Sequence, residues 1–126
     1  MKTKDFNNIV KEQLYRCENL LITKMREYAE GSDTDESVDR LAAFKKAAAL
    51  QNQTPIQAAF GMLAKHLVSV SDMVASRGGY TKDRWNEKIT DSINYLLIIR
   101  ALAEELTPER IFDPKGTKAK EEKANE

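Results

Sequence analysis

The chain has a single cysteine, Cys17, among its 126 residues. That excludes an internal disulfide and fits a reducing compartment. There is also one histidine, His66, so zinc finds no ligand cluster. Glycine and proline number only five and three, which leaves few turns and favours a handful of long elements. Charge of either sign is not in excess: twenty basic residues balance twenty acidic ones. Whole-chain electrostatics therefore gives no argument for nucleic acid or an anionic membrane. Long apolar runs are missing too; "YLLII", residues 95–99, is far short of a bilayer span. The start, "MKTKDFNNIV", has no apolar core of a signal peptide. No glycine-rich phosphate loop, nucleophile elbow or helix-turn-helix pattern appears. Together these absences predict a cytoplasmic protein with no membrane association and no strong nucleic-acid signal.

What is present is helical. Apolar residues make up 41 % and charged residues 32 %, as in a soluble single domain with its own core. Alternating β-branched runs are nearly absent, so no strand is expected. Phe6, Val10, Leu14, Cys17, Leu21, Met25 and Tyr28 recur every three or four residues. That spacing predicts a helix over about 5–30, ended at Gly31. A second helix, 35–50, carries Val38, Leu41, Phe44 and Ala48 and stops at "QNQ". "TPIQ" then gives the clearest local signal: Thr54 caps, Pro55 takes the first helical position, and Gln57 closes a capping box. The third helix, 55–76, carries Ile56, Phe60, Leu63, Leu67, Val70 and Val74, and Gly78-Gly79 ends it. The fourth, 82–105, carries Trp85, Ile89, Ile93, Leu96, Ile99 and Ala103, and Thr107-Pro108 breaks it. All four stripes read as core packing.

Short links make consecutive helices antiparallel neighbours, so the expected fold is all-α, an antiparallel four-helix bundle. It forms one domain over 1–112. The remainder, 113–126, has no apolar period and high charge, and reads as a disordered tail.

Polar residues fall into lines on these helices. Glu87, Asp91 and Asn94 share one side of the fourth helix; Lys65, Ser69 and Asp72 share one side of the third. With the intervening turn centred near 79–80, Asp72 comes level with Glu87, Lys65 with Asn94, and His66 with Ile93. An up-down bundle also brings Glu27, Glu30, Asp35 and Asp39 to the same end as Asp72, Glu87 and Asp91. Carboxylates facing one another at one height are how bundles hold divalent cations, and Mg2+ suits such a set. The bland alternative is that these acids are exposed-face charges: Glu87 pairs with Arg84 or Lys88, and acids near helix starts suit the macrodipole. His66 flanks the third stripe as a core-edge group, Tyr95 and Trp85 as core-edge aromatics. Cys17 is expected to be buried and inert.

The segments "REYAEGSD", "DRLAAFKKAAAL", "TPIQAAFGMLAKH" and "WNEKITDSINYLLIIRAL" resemble small helical proteins encoded by bacteriophages and prophages, over residues 25–105. More distantly, the chain is similar to the all-α nucleoside triphosphate pyrophosphatases, the MazG-like bundles, which hold Mg2+ through E-x-x-E and E-x-x-D motifs. "EYAE", Glu27 to Glu30, matches the first; Glu87-x-x-x-Asp91 is one residue longer than the second. The resemblance implies a phage-type accessory protein that handles nucleotides. In that reading Glu27, Glu30, Glu87 and Asp91, with Asp72 as a further candidate, hold Mg2+, Lys65 meets phosphate, and His66, Asn94 and Tyr95 stand nearby. The rival expectation is a non-catalytic homo-oligomeric binder that sequesters a host signalling nucleotide or inhibits a host defence protein.

Overall fold

The computed structural model describes residues 1–28 and 38–106, the last five of the first helix by backbone alone. Four helices run in order α1 (Thr3–Tyr28), α2 (Ala42–Leu50), α3 (Pro55–Ala75) and α4 (Lys82–Leu106). The described residues contain no strand, so the all-α four-helix class holds. The tail assigned to 113–126 and the helix end at residues 29 and 30 lie outside the described residues.

Local chemistry sets most boundaries. Thr54 Oγ1 accepts the Gln57 N–H (3.2 Å) while the Gln57 side chain accepts the Thr54 N–H (2.9 Å), the reciprocal box expected from "TPIQ". At the end of α2, Asn52 adopts a left-handed φ of 52°, and the Gln53 N–H reaches back to the Ala48 carbonyl (2.9 Å). Those bonds satisfy carbonyls that the last turn leaves open. Thr81 Oγ1 accepts the Arg84 N–H and starts α4.

One boundary differs from expectation. Helix α2 begins at Ala42 rather than near 35, and residues 38–41 form a bend and turn. Asp39 is the cause: its carboxylate accepts the Leu41 N–H (2.9 Å) and its carbonyl accepts the Ala42 N–H (3.2 Å). A short carboxylate that captures its own backbone stops a helix from extending through it.

Helices α3 and α4 form the antiparallel pair at the centre, and α2 folds back onto α3. Helix α1 packs on the other flank of α4. It runs in the same chain sense as α4: Gln13 bonds Thr90, and eight residues further along both helices Leu21 packs on the cluster that holds Ile98. That cluster is Phe44, Ala59, Ile98 and Leu102, flanked by Leu41, Ile56, Met62 and Ile99. No helix among the described residues is long and apolar enough to cross a membrane.

The stripes are only partly core. On α1 Cys17 is buried, as expected, but Phe6, Val10 and Leu14 are exposed. On α3 Leu63 is buried while Phe60, Leu67 and Val74 are exposed. On α4 the buried positions are Thr90, Ser92, Asn94, Ile98 and Leu102, and Leu96 of the expected stripe is exposed. Periodicity finds an apolar face; it does not say whether a neighbour covers that face. Because α4 lies between α1 and α3, its covered surfaces are the ones turned to those two helices.

Candidate functional site

A groove of about 820 Å3 opens between α1 and α4. Helix α1 supplies Glu12, Tyr15, Arg16, Asn19 and Leu20 to its walls, and α4 supplies Asp83, Asn86, Glu87, Thr90 and Asp91. The floor is polar where the two helices touch. Gln13 Nε2 donates to Thr90 Oγ1 (2.8 Å) and to Cys17 Sγ (3.3 Å). This part-buried amide-to-hydroxyl contact joins the helices beside the groove, and apolar packing resumes further along, where Leu21 reaches the cluster of Ile98. The groove stays open above it.

The line Glu87–Asp91–Asn94 runs from this groove into the bundle. Glu87 is exposed and lies 3.5 Å from Arg84. Asp91 is mostly covered and lies 3.8 Å from His66 Nδ1, too far for a hydrogen bond. Asn94 is buried. His66 tilts against the Tyr95 ring, with centroids 5.0 Å apart. His66 Nδ1 and Asn94 Oδ1 are both buried with no hydrogen-bond partner among the described residues. The register expected from the 79–80 turn is the one found, because His66 sits between Asp91 and Tyr95 at the height of Ile93.

The groove is acidic. Glu12, Asp83, Glu87 and Asp91 face it against one lining cation, Arg16, which is already bonded to Glu12 at 2.8 Å. That guanidinium holds the Glu12 carboxyl below the usual carboxylate range, and Lys82 adds to the effect.

Other expected site residues fall elsewhere. Lys65 is exposed on α3 and does not line the groove. Asp72 is exposed near the end of α3. Asp39 is not at the Glu87 end: it pairs with Lys45 at 2.8 Å, and Lys45 pairs with Glu105 at 3.0 Å. The shared sense of α1 and α4 explains this, since it carries the end of α1 towards Leu102 and away from Glu87. Glu30 and the Glu27 side chain lie outside the described residues. Glu27's backbone is in α1, seven residues past Leu20 and roughly 10 Å further along the axis. The acid that α1 does bring to Glu87 and Asp91 is Glu12, whose i,i+4 pairing with Arg16 was its only signal in the sequence. Among the described residues no three of His, Cys, Asp and Glu gather closely enough to hold a metal ion.

A second surface lies on α3. At about 3.6 residues per turn, Phe60, Leu67 and Val74 stack in one column, with Ala64, Val68 and Ser71 beside it. Phe60 is 59 % exposed, Leu67 45 % and Val74 70 %. Lys65, His66 and Asp72, the ionisable residues of α3, all fall outside this arc. An uncharged face on a chain that is 32 % charged is a marked departure from its average.

Fold and surfaces together define a small all-α domain with an acidic interhelical groove and an uncovered apolar helix face. No family model, curated protein or solved structure matches the chain.

Proposed function

We propose that the chain is a binding protein that works as an oligomer through helix-to-helix contact, and that its partner in the groove is a protein segment rather than a free nucleotide. The uncharged α3 face carries this reading. A contiguous apolar patch left open on a small domain marks a protein interface, and the arc from Phe60 to Val74 has no charge to keep it solvated. The groove supports the second half of the reading: three lining carboxylates beyond the Glu12–Arg16 pair repel a polyphosphate and favour a cationic side chain. The likeness to phage-encoded helical proteins is compatible with a protein that acts on a host partner.

Nucleotide handling with Mg2+ is kept as a second reading on one observation: Glu87 and Asp91 line the same groove. A thermal-shift series with nucleoside di- and triphosphates, with and without Mg2+, separates the two. The binder reading expects no nucleotide shift and a melting temperature that rises with protein concentration. Stabilisation that appears only with nucleotide and Mg2+ together overturns it in favour of the second.

A further inference from the structure

We infer that α1 is a separable arm: it lifts off α4 as one unit while α2, α3 and α4 stay packed, and that motion gates the groove. The inference does not depend on what the groove holds. Its first support is how thinly α1 is held. Among its described side chains, residues 3–23, only Gln13, Cys17, Leu20 and Leu21 are not exposed. Phe6, Ile9, Val10 and Leu14 are its remaining apolar residues on the same stretch, and each is 40–60 % exposed. Helix α3, by contrast, buries Ala58, Ala59, Leu63 and Met73. Apolar area left in water does nothing to hold an element down, and local opening starts in elements with little apolar burial.

The joint itself is polar. Gln13 donates to Thr90 at 2.8 Å. Four residues further along both helices, Cys17 comes level with Asn94, whose buried Oδ1 has no hydrogen-bond partner among the described residues. Opening exchanges the Gln13 bond for bonds to water at little net cost, and water reaching an unsatisfied acceptor recovers its desolvation penalty. Leu21, packed on the cluster of Ile98, is the apolar attachment that opening has to break. The order of the elements permits the motion. Helix α1 comes first in the chain and packs on α4, the last helix. The buried cluster of Phe44, Ala59, Ile98 and Leu102 is drawn from α2, α3 and α4 alone, so those four contacts survive the departure of α1. Because α1 and α4 are the two walls of the groove, the same motion widens it.

The test uses the full chain, with Cys17 as the probe. It is the only thiol, it is 2 % exposed, and it sits at the α1–α4 joint beside Gln13. Labelling of Cys17 by N-ethylmaleimide is followed against urea, alongside global unfolding by circular dichroism. Where the rate is first order in reagent, it reports the opening equilibrium. The expected result in low urea is labelling faster than global unfolding allows. Its urea slope should be at most about half the global one, since the slope scales with the surface exposed. Leu21→Ala weakens the attachment of α1 and should speed labelling roughly tenfold. Thr54→Ala removes the cap of α3 and should raise the global unfolding constant several-fold, with labelling in low urea unchanged. Labelling that tracks global unfolding at every urea concentration overturns the separable arm, as does acceleration by Thr54→Ala equal to its effect on global unfolding. Either result makes the four helices one cooperative unit. Labelling of the parent as fast as that of a free thiol overturns it from the other side, by showing that α1 is not docked at rest.

Discussion

The two flanks of α4 are held in opposite ways. Towards α3 and α2 it presents Ile98 and Leu102, which close on Phe44 and Ala59 in an apolar cluster. Towards α1 it presents Thr90, bonded to Gln13, and a groove walled by acids and amides. Apolar burial rewards every square ångström removed from water, so the first flank seals. A single hydrogen bond contributes only about 1 kcal/mol net and rewards one geometry, so the second flank stays parted along the groove and closes by apolar packing only further along, where Leu21 reaches the cluster. One helix thus serves as a structural wall on one side and as an accessible wall on the other.

The sharpest break of that comparison is on the sealed side. Leu102 is 2 % exposed within the cluster. Leu102→Ala should cost about 2–5 kcal/mol, read as a lower urea midpoint with an unchanged slope. On the open side Gln13→Ala removes the donor to buried Thr90 and should cost about 1–2 kcal/mol. The discriminating readout is hydrogen exchange: the Gln13 change should release α1 amides first, whereas the Leu102 change should accelerate α2, α3 and α4 together. Equal costs with equal exchange patterns would show that the flanks are one cooperative unit.

Asn94 sharpens the comparison further. Its Oδ1 is buried without a hydrogen-bond partner among the described residues, one turn from Ile98 of the apolar cluster. Asn94→Leu has nearly the same size and removes an unsatisfied acceptor, so it should leave stability unchanged or raise it by about 1 kcal/mol. A loss of binding in that stable variant would mark Asn94 as a polar group retained for the groove's partner. Destabilisation would show that Asn94 is satisfied in solution and belongs to the core.

These contrasts explain what the residues disclosed before any coordinates. Thr54, Pro55 and Gln57 announced their capping box because every partner lies within three residues. The α3–α4 register was legible because a short turn fixes it, and His66 lies where the count put it. The sense of α1 was not legible: it depends on contacts distant in sequence, Gln13 meeting Thr90 77 positions away and Leu21 reaching the cluster of Ile98. The burial of Thr90, Ser92 and Asn94 was hidden for the same reason, since polar residues on a helix read as its wet side until a second neighbour is placed there. The apolar column on α3 was legible as a stripe, and its exposure was not. Of the groove, Glu87 and Asp91 were visible as a line; Glu12, Arg16 and Asp83 required knowing which helix faces which.

The smallest expected effect concerns the polar clasp on the sealed flank. Lys45 joins Asp39, ahead of α2, to Glu105, near the end of α4. Bonding to Lys45, and then to the Leu41 N–H, holds the Asp39 carboxyl below its ordinary value of 3.8. A carboxylate lowered in the folded state contributes stability above its unfolded value, and loses it as pH falls through the lower folded value. The Lys45 ammonium is raised above 10.5 by Asp39 and then Glu105, so its contribution is present below that value and is lost as pH rises through the higher one. Lys45→Met keeps most of the aliphatic stem and removes the charge. The melting-temperature gap between parent and Lys45→Met should therefore be widest between the two limits. It should close below pH 3.8 as Asp39 protonates, and close again well above pH 10.5 as Lys45 deprotonates. All three side chains are 40–48 % exposed, so the gap is expected to be small and to shrink further in high salt. A gap of the same size at every pH would show that the Lys45 stem, not its charge, ties α2 to α4, and that apolar contact alone holds this flank.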